Sequence, residues 1–124
     1  IINDCYNANP ESMKAALHAF EHMDTKAQKI AILGDMLELG INSSFWHRQL
    51  GRFLRKVPSL KKVILVGSLV QWTLKTAPVG LQIIIVPTWQ DAMNELQESL
   101  TQESVVLVKG SRGTGLWQLV EQLS

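Results

Sequence analysis

The chain has 124 residues, 46% hydrophobic and 19% charged, and its 12 basic and 11 acidic residues leave a formal net charge of +1. That length suits one domain with its own core, and so even a balance makes no electrostatic case for nucleic acid or an anionic membrane. A single cysteine excludes an internal disulfide framework and suits a reducing compartment, while no apolar run nears the ~20 residues of a membrane helix and no signal-peptide pattern opens the chain.

The first strand is already under way at Ile1, without an initiator methionine, so the chain reads as a piece of a longer protein. Asp4, Tyr6 and Asn7 follow in a short loop. Asn9 is placed to cap a helix, and Pro10 fits its first position, where a missing N–H costs nothing. Met13, Ala16, Leu17 and Phe20 then recur on one helical face. The run Lys29–Leu33 predicts a buried strand ending at Gly34-Asp35. After the loop from Asp35 to Asn42, Ser43 or Ser44 is suited to cap a second helix, with Trp46, Leu50, Phe53, Leu54 and Val57 on its apolar face and Pro58 ending it.

Val63–Val66 predicts the third strand, closed by Gly67-Ser68. A shorter helix over about 69–75 would present Leu69, Trp72 and Thr76. Gln82–Val86 predicts the fourth strand, and Thr88 with Asp91 opens a helix carrying Trp89, Met93, Leu96 and Leu100. Val105–Val108 predicts the fifth strand, followed by the polar loop from Lys109 to Thr114 and a helix with Leu116, Leu119, Val120 and Leu123 on one face. Strands apolar on both faces, alternating with single helices, predict an α/β fold: a Rossmann-like, doubly wound, mainly parallel five-stranded sheet with helices on both faces. Each crossover should be right-handed.

In such a sheet, ligands bind outside the carboxyl ends of the strands. Those ends would carry Asn3-Asp4, Gly34-Asp35, Gly67-Ser68, Pro87-Thr88 and Lys109-Gly110. Any one of these loops is explained by a tight turn; several together, with charged residues among them, favour an anionic or phosphate-bearing ligand. The loop Lys109-Gly110-Ser111-Arg112-Gly113-Thr114-Gly115 joins two cations, two hydroxyls and three glycines ahead of a helix, a composition suited to a carboxylate or phosphate. It is not a Walker A loop, and no G-x-G-x-x-G follows the first strand. His18 and His22, an i, i+4 pair, suit a solvated helix face better than a metal site, and Cys5 is most simply a small loop residue. The four tryptophans border helix stripes and read as packing; Glu38 reads as an exposed loop carboxylate.

Three runs, Asp4-Cys5-Tyr6-Asn7-Ala8-Asn9-Pro10-Glu11-Ser12, Leu33-Gly34-Asp35-Met36-Leu37-Glu38-Leu39-Gly40 with His47 downstream, and Val108-Lys109-Gly110-Ser111-Arg112, resemble the C-terminal domain of Mur ligases. The likeness is strongest to the branch that adds D-Ala-D-Ala to UDP-N-acetylmuramoyl-tripeptide in peptidoglycan synthesis. It departs at Trp117, where an acidic residue is expected. The resemblance implies that residues 1–124 form the third domain of a three-domain, ATP-dependent amide ligase of the bacterial cytoplasm. ATP phosphorylates the peptide's terminal carboxylate there, and the dipeptide amine attacks the acyl phosphate. The P-loop and the Mg2+ ligands would lie in a central domain outside this chain, so the domain by itself should be inactive.

By the same resemblance Asp4 would contact the ribose hydroxyls, with Tyr6 and Asn7 flanking the adenosine. Lys109, Ser111 and Arg112 would hold the dipeptide carboxylate or developing negative charge. Asp35 and the loop to Gly40 would shape the dipeptide pocket, with Asn9 and His47 in support. No catalytic residue or metal ligand is assigned to this chain. The geometric requirement is that Asp4, Asp35 and Lys109 converge on one rim of a parallel sheet. Two alternatives stand beside this reading. One is a folylpolyglutamate-synthase-like ligase domain, which should lack the Leu33–Gly40 run. The other is a non-catalytic receiver-like signalling module, which needs an aspartate where Gly67-Ser68 closes the third strand.

Overall fold

The computed structural model describes residues 1–5, 8–100 and 103–123. Five strands, β1 (Ile2–Asp4), β2 (Gln28–Gly34), β3 (Leu60–Val66), β4 (Gln82–Val86) and β5 (Ser104–Lys109), alternate with helices α1 (Pro10–Glu21), α2 (Ser43–Leu54), α3 (Gln71–Leu74), α4 (Trp89–Ser99) and α5 (Leu116–Leu123). Short 3₁₀ turns, Gly40–Asn42 and Arg112–Thr114, precede α2 and α5. The strands form one sheet in the order β1-β5-β2-β3-β4, every pair parallel. The alternating pattern therefore produced the doubly wound sheet it predicts.

The chain moves outward from β2 to β3 to β4, then returns to insert β5 between β1 and β2. That reversal makes the β2/β5 crevice the switch point of the sheet, where such folds place ligands. It also puts β1 at an edge, whereas the flavodoxin-like order 2-1-3-4-5 of a receiver has it inside. Helices α1 and α2 cover one face, packing Met13, Leu17, Phe20, Leu50 and Leu54 on Ala31, Leu33, Val63 and Leu65. Helices α4 and α5 cover the other, setting Ala92, Leu96, Leu116 and Leu119 against Ile30, Ile32, Ile64 and Val108. At roughly 25 cal/mol per Å² of apolar surface removed from water, these two layers supply most of the drive to fold.

Local expectations need correction in three helices. Neither Ser43 nor Ser44 caps α2; Asn42 takes the capping position without a side-chain bond, and the preceding 3₁₀ turn leads the chain in. The buried face of α2 is His47, Leu50, Gly51 and Leu54, with Trp46 left 37% exposed. The helix is turned to bring a histidine inside, because that ring has backbone partners to satisfy there. Helix α3 shrinks to Gln71–Leu74 with Thr73 buried, and in the flanking turns Val70 and Thr76 are buried while Leu69 and Trp72 are only partly so. In α4 the Thr88 hydroxyl caps the Asp91 N–H as expected, but the helix stops at Ser99 and Leu100 turns out to solvent.

Candidate functional site

The strand order brings the carboxyl ends of β1, β5 and β2 side by side, so Asp4, Lys109 and Gly34-Asp35 lie on one rim. Asp4 is in register with Lys109, and Leu33 pairs with Lys109 on its other side. The Lys109 side chain is 1% exposed and its ammonium lies 2.9 Å from Asp4 Oδ2. A buried charge must be paired, and here the pairing fixes one oxygen of an Asp4 carboxylate that stays 44% exposed. The Lys109 side chain is thus turned inward, with its ammonium against Asp4.

Asp35 is buried as well, and its carboxylate is fully engaged. Oδ1 accepts the Val70 N–H at 2.9 Å and Oδ2 the Ser68 N–H at 3.2 Å, so it caps the turn into α3. Gly67 occurs in that turn with φ +122, and a Cβ there would strike the Asp35 carboxyl. The Asp35 N–H donates to Val66 O at 3.1 Å, and its carbonyl accepts the Ser111 N–H at 3.2 Å. Its carboxylate works as a strut between loops.

Ser111 is where the loops meet. Its Oγ accepts the Leu37 N–H at 2.9 Å and donates to the Ala8 carbonyl at 3.4 Å, tying the β5 loop to the β2 and β1 loops. His47 holds the far side of the β2 loop: fully buried, its Nε2 accepts the Met36 N–H at 3.1 Å and its Nδ1 donates to Ser43 O at 2.8 Å, the tautomer this network requires. Asn9 caps α1, its Oδ1 taking the Ser12 N–H at 2.8 Å while Ser12 Oγ takes the Asn9 N–H at 3.0 Å. Arg112 is exposed, its guanidinium 5.4 Å from the centre of the Trp117 ring. Tyr6 and Asn7 lie outside the described residues.

Beneath Asp4, the Cys5 thiol is buried and points to the Val108 carbonyl at 3.5 Å. Burial pushes its pKa up to about 11; the negative charge of Asp4 adds to this, while a backbone hydrogen bond from Asp4 and the Lys109 ammonium oppose it. No cluster of three or more potential metal ligands occurs among the described residues.

Of the residues singled out from sequence, Asp4 and Arg112 present charge to solvent, while Lys109, Asp35, Ser111, His47 and Asn9 hold the loops that present it. The Asp4–Lys109 pair had a signal in the sequence: a lysine ending a strand buried on both faces needs a counter-charge at a neighbouring strand end. The Asp35 and Ser111 bonds had none, because they join loops distant in the chain.

Residues 1–112 match the family model described as "Mur ligase, glutamate ligase domain". UDP-N-acetylmuramoyl-tripeptide–D-alanyl-D-alanine ligases of Bacillus subtilis and Rickettsia prowazekii are 32% and 31% identical to it over 99% and 98% of the chain. The chain spans only 27% and 26% of those relatives' lengths. Among solved structures, MurF of Acinetobacter baumannii superposes with a TM-score of 0.80 at 32% identity, covering 96% of this chain and 26% of that one. MurF ligase of Thermotoga maritima, crystallised with ADP, gives 0.75 at 26% identity over 94% of this chain and 26% of that one. The chain belongs to the Mur ligase family, as a glutamate ligase domain.

Proposed function

We propose that this chain is the C-terminal, third domain of an ATP-dependent ligase that adds D-Ala-D-Ala to UDP-N-acetylmuramoyl-tripeptide in the cytoplasm of a bacterium. The observation that carries the reading is the likeness, over nearly the whole chain, to relatives named for that reaction. The rim geometry supports it: a half-exposed carboxylate, set by a buried ammonium, is a natural acceptor for two ribose hydroxyls. Tyr6 and Asn7 follow it in sequence and keep their proposed place beside the adenosine.

ATP, when bound, supplies the phosphoryl group that activates the peptide carboxylate. Within this chain Asp4 orients the nucleotide and Lys109 orients Asp4. Arg112, exposed on its 3₁₀ turn, meets the dipeptide carboxylate or the charge that develops as the bond forms. Ser111, Asp35 and His47 keep the three loops in mutual register, so catalysis by this half of the site is positioning and charge stabilisation on closure. The family resemblance assigns the Mg2+ ligands to a central domain outside this chain.

The test is steady-state kinetics of the full-length enzyme. Asp4→Asn should raise the KM for ATP about tenfold and leave that for D-Ala-D-Ala unchanged. Arg112→Ala should lower kcat/KM for the dipeptide by about tenfold or more. An Asp4 effect confined to the dipeptide, or unaltered kinetics in both variants, overturns the assignment.

A further inference from the structure

Between α1 and α2, beside the Asp35–Gly40 loop, lies a cavity of about 700 Å³, within the range of small-molecule sites. Met13, Met36 and Leu50 form its buried floor; Leu39, Phe53 and Trp46 form walls that water reaches. Methionines adapt to irregular apolar shapes, and Trp46 offers a flat face at the mouth, 37% exposed.

The rim is cationic. Lys14 comes from α1, Arg52 from the last turn of α2 and Lys56 from the turn just after it, against one acid, Glu11, in the first turn of α1, where the helix dipole favours a negative charge. Ion pairs among the described residues are Lys62–Glu95 and Lys109–Asp4, so none of these three cations has a carboxylate partner. Lys14 instead lies 5.8 Å from the centre of the Phe53 ring. Arg52, in the last turn of α2, and Lys56, just past its end, both line this cavity, where their like charges repel. An anion seated among the three would relieve that repulsion.

We propose that this cavity is a second binding site, for a free small molecule with an apolar body and a carboxylate, sulfonate or phosphate head. The apolar body lies over Met13 and Met36 against Trp46, and the head meets Lys14, Arg52 and Lys56. A concave, mostly apolar floor with charge confined to the rim fits a soluble amphipathic anion better than a flat lipid surface. The inference rests on the cavity and its charges; the cavity shares Asn9, Met36 and Leu39 with the segments that the ligase reading places around the dipeptide.

The test titrates 1-naphthalenesulfonate and its uncharged counterpart 1-naphthalenemethanol into the 124-residue chain by calorimetry, at low and moderate salt. The sulfonate should bind roughly tenfold tighter than the alcohol and weaken with salt. Arg52→Ala with Lys56→Ala should erase about that factor, while Lys75→Ala, away from the cavity, should change nothing. Circular dichroism of each variant confirms that the helices persist. Equal affinity for sulfonate and alcohol, an unaffected double variant, or no binding overturns the proposal. So does sedimentation with phosphatidylglycerol vesicles without binding of the soluble probe, which assigns the face to a membrane. Loss of probe binding in the full-length enzyme also overturns it, because the cavity is then covered by the rest of that chain.

Discussion

Lys109 ends a strand buried on both faces with a charge, and its ammonium lies against Asp4. Lys109→Met keeps most of the side-chain volume and removes that charge. Asp4, partly solvated, rehydrates in its place, so urea unfolding should show a loss of about 1–2 kcal/mol, below the cost of breaking a fully buried pair. If Lys109 positions Asp4, the same variant of the full-length enzyme raises the KM for ATP and spares that for the dipeptide; the opposite split makes it a dipeptide ligand. Cys5 carries a second prediction. With its pKa near 11, about one part in a thousand is thiolate at pH 8, so Ellman's reagent should modify it only on unfolding. Its pKa is raised in the folded state from 9.0, so the stability it contributes is complete below pH 9 and declines as pH climbs toward 11. Urea unfolding at the two ends of that window, with Cys5→Ala as the control that removes the difference, checks the sign.

Helix α2 shows what periodicity can and cannot say. The spacing of Trp46, Leu50, Phe53 and Leu54 identified a helix, and Leu50 and Leu54 are in the core. The stripe nevertheless fell one residue off, because His47 goes inside to meet Met36 N–H and Ser43 O. A hydrophobic count cannot weigh a buried polar ring whose partners lie outside the helix. Gly51 was silent for a similar reason. It faces α3, where Thr73 Oγ1 donates to His47 O at 3.0 Å and the Thr76 hydroxyl to Arg48 O. A Cβ at Gly51 would meet the Thr73 carbonyl and Thr76 hydroxyl, so Gly51→Ala should destabilise by about 2 kcal/mol despite its better helix propensity, read as a lower urea midpoint at unchanged slope. In the neighbouring loop Glu38 adopts φ +66, a region that strains a side-chain-bearing residue. Glu38→Gly should therefore raise stability by up to about 1 kcal/mol in the same assay.

For the molecule as a whole, the order of elements was legible and the order of strands was not. Apolar runs such as Val63–Val66 and Gln82–Val86, set between helices, announce a parallel sheet, and the sheet is parallel throughout. Nothing local in Ile1 to Asp4 says that β1 pairs with β5, one hundred residues on, rather than with β2. That choice brings Asp4 to Lys109 and leaves β1 on an edge. The crevice between β2 and β5 is correspondingly tight: a Cβ at Gly110 would approach Leu116 Cδ1 to 2.9 Å and Gly34 Cα to 3.1 Å. Gly110→Ala should cost about 1–3 kcal/mol in chemical denaturation by forcing α5 from the strand ends. The short edge strand has a thermodynamic corollary. β1 has three register pairs, all with β5, so its docking is among the easier local openings of the fold. A nucleotide held by Asp4 would have to stitch that ribbon down before gripping it. Its measured affinity would then include a local folding step, visible as slowed amide exchange of Asn3 and Asp4 when nucleotide is present.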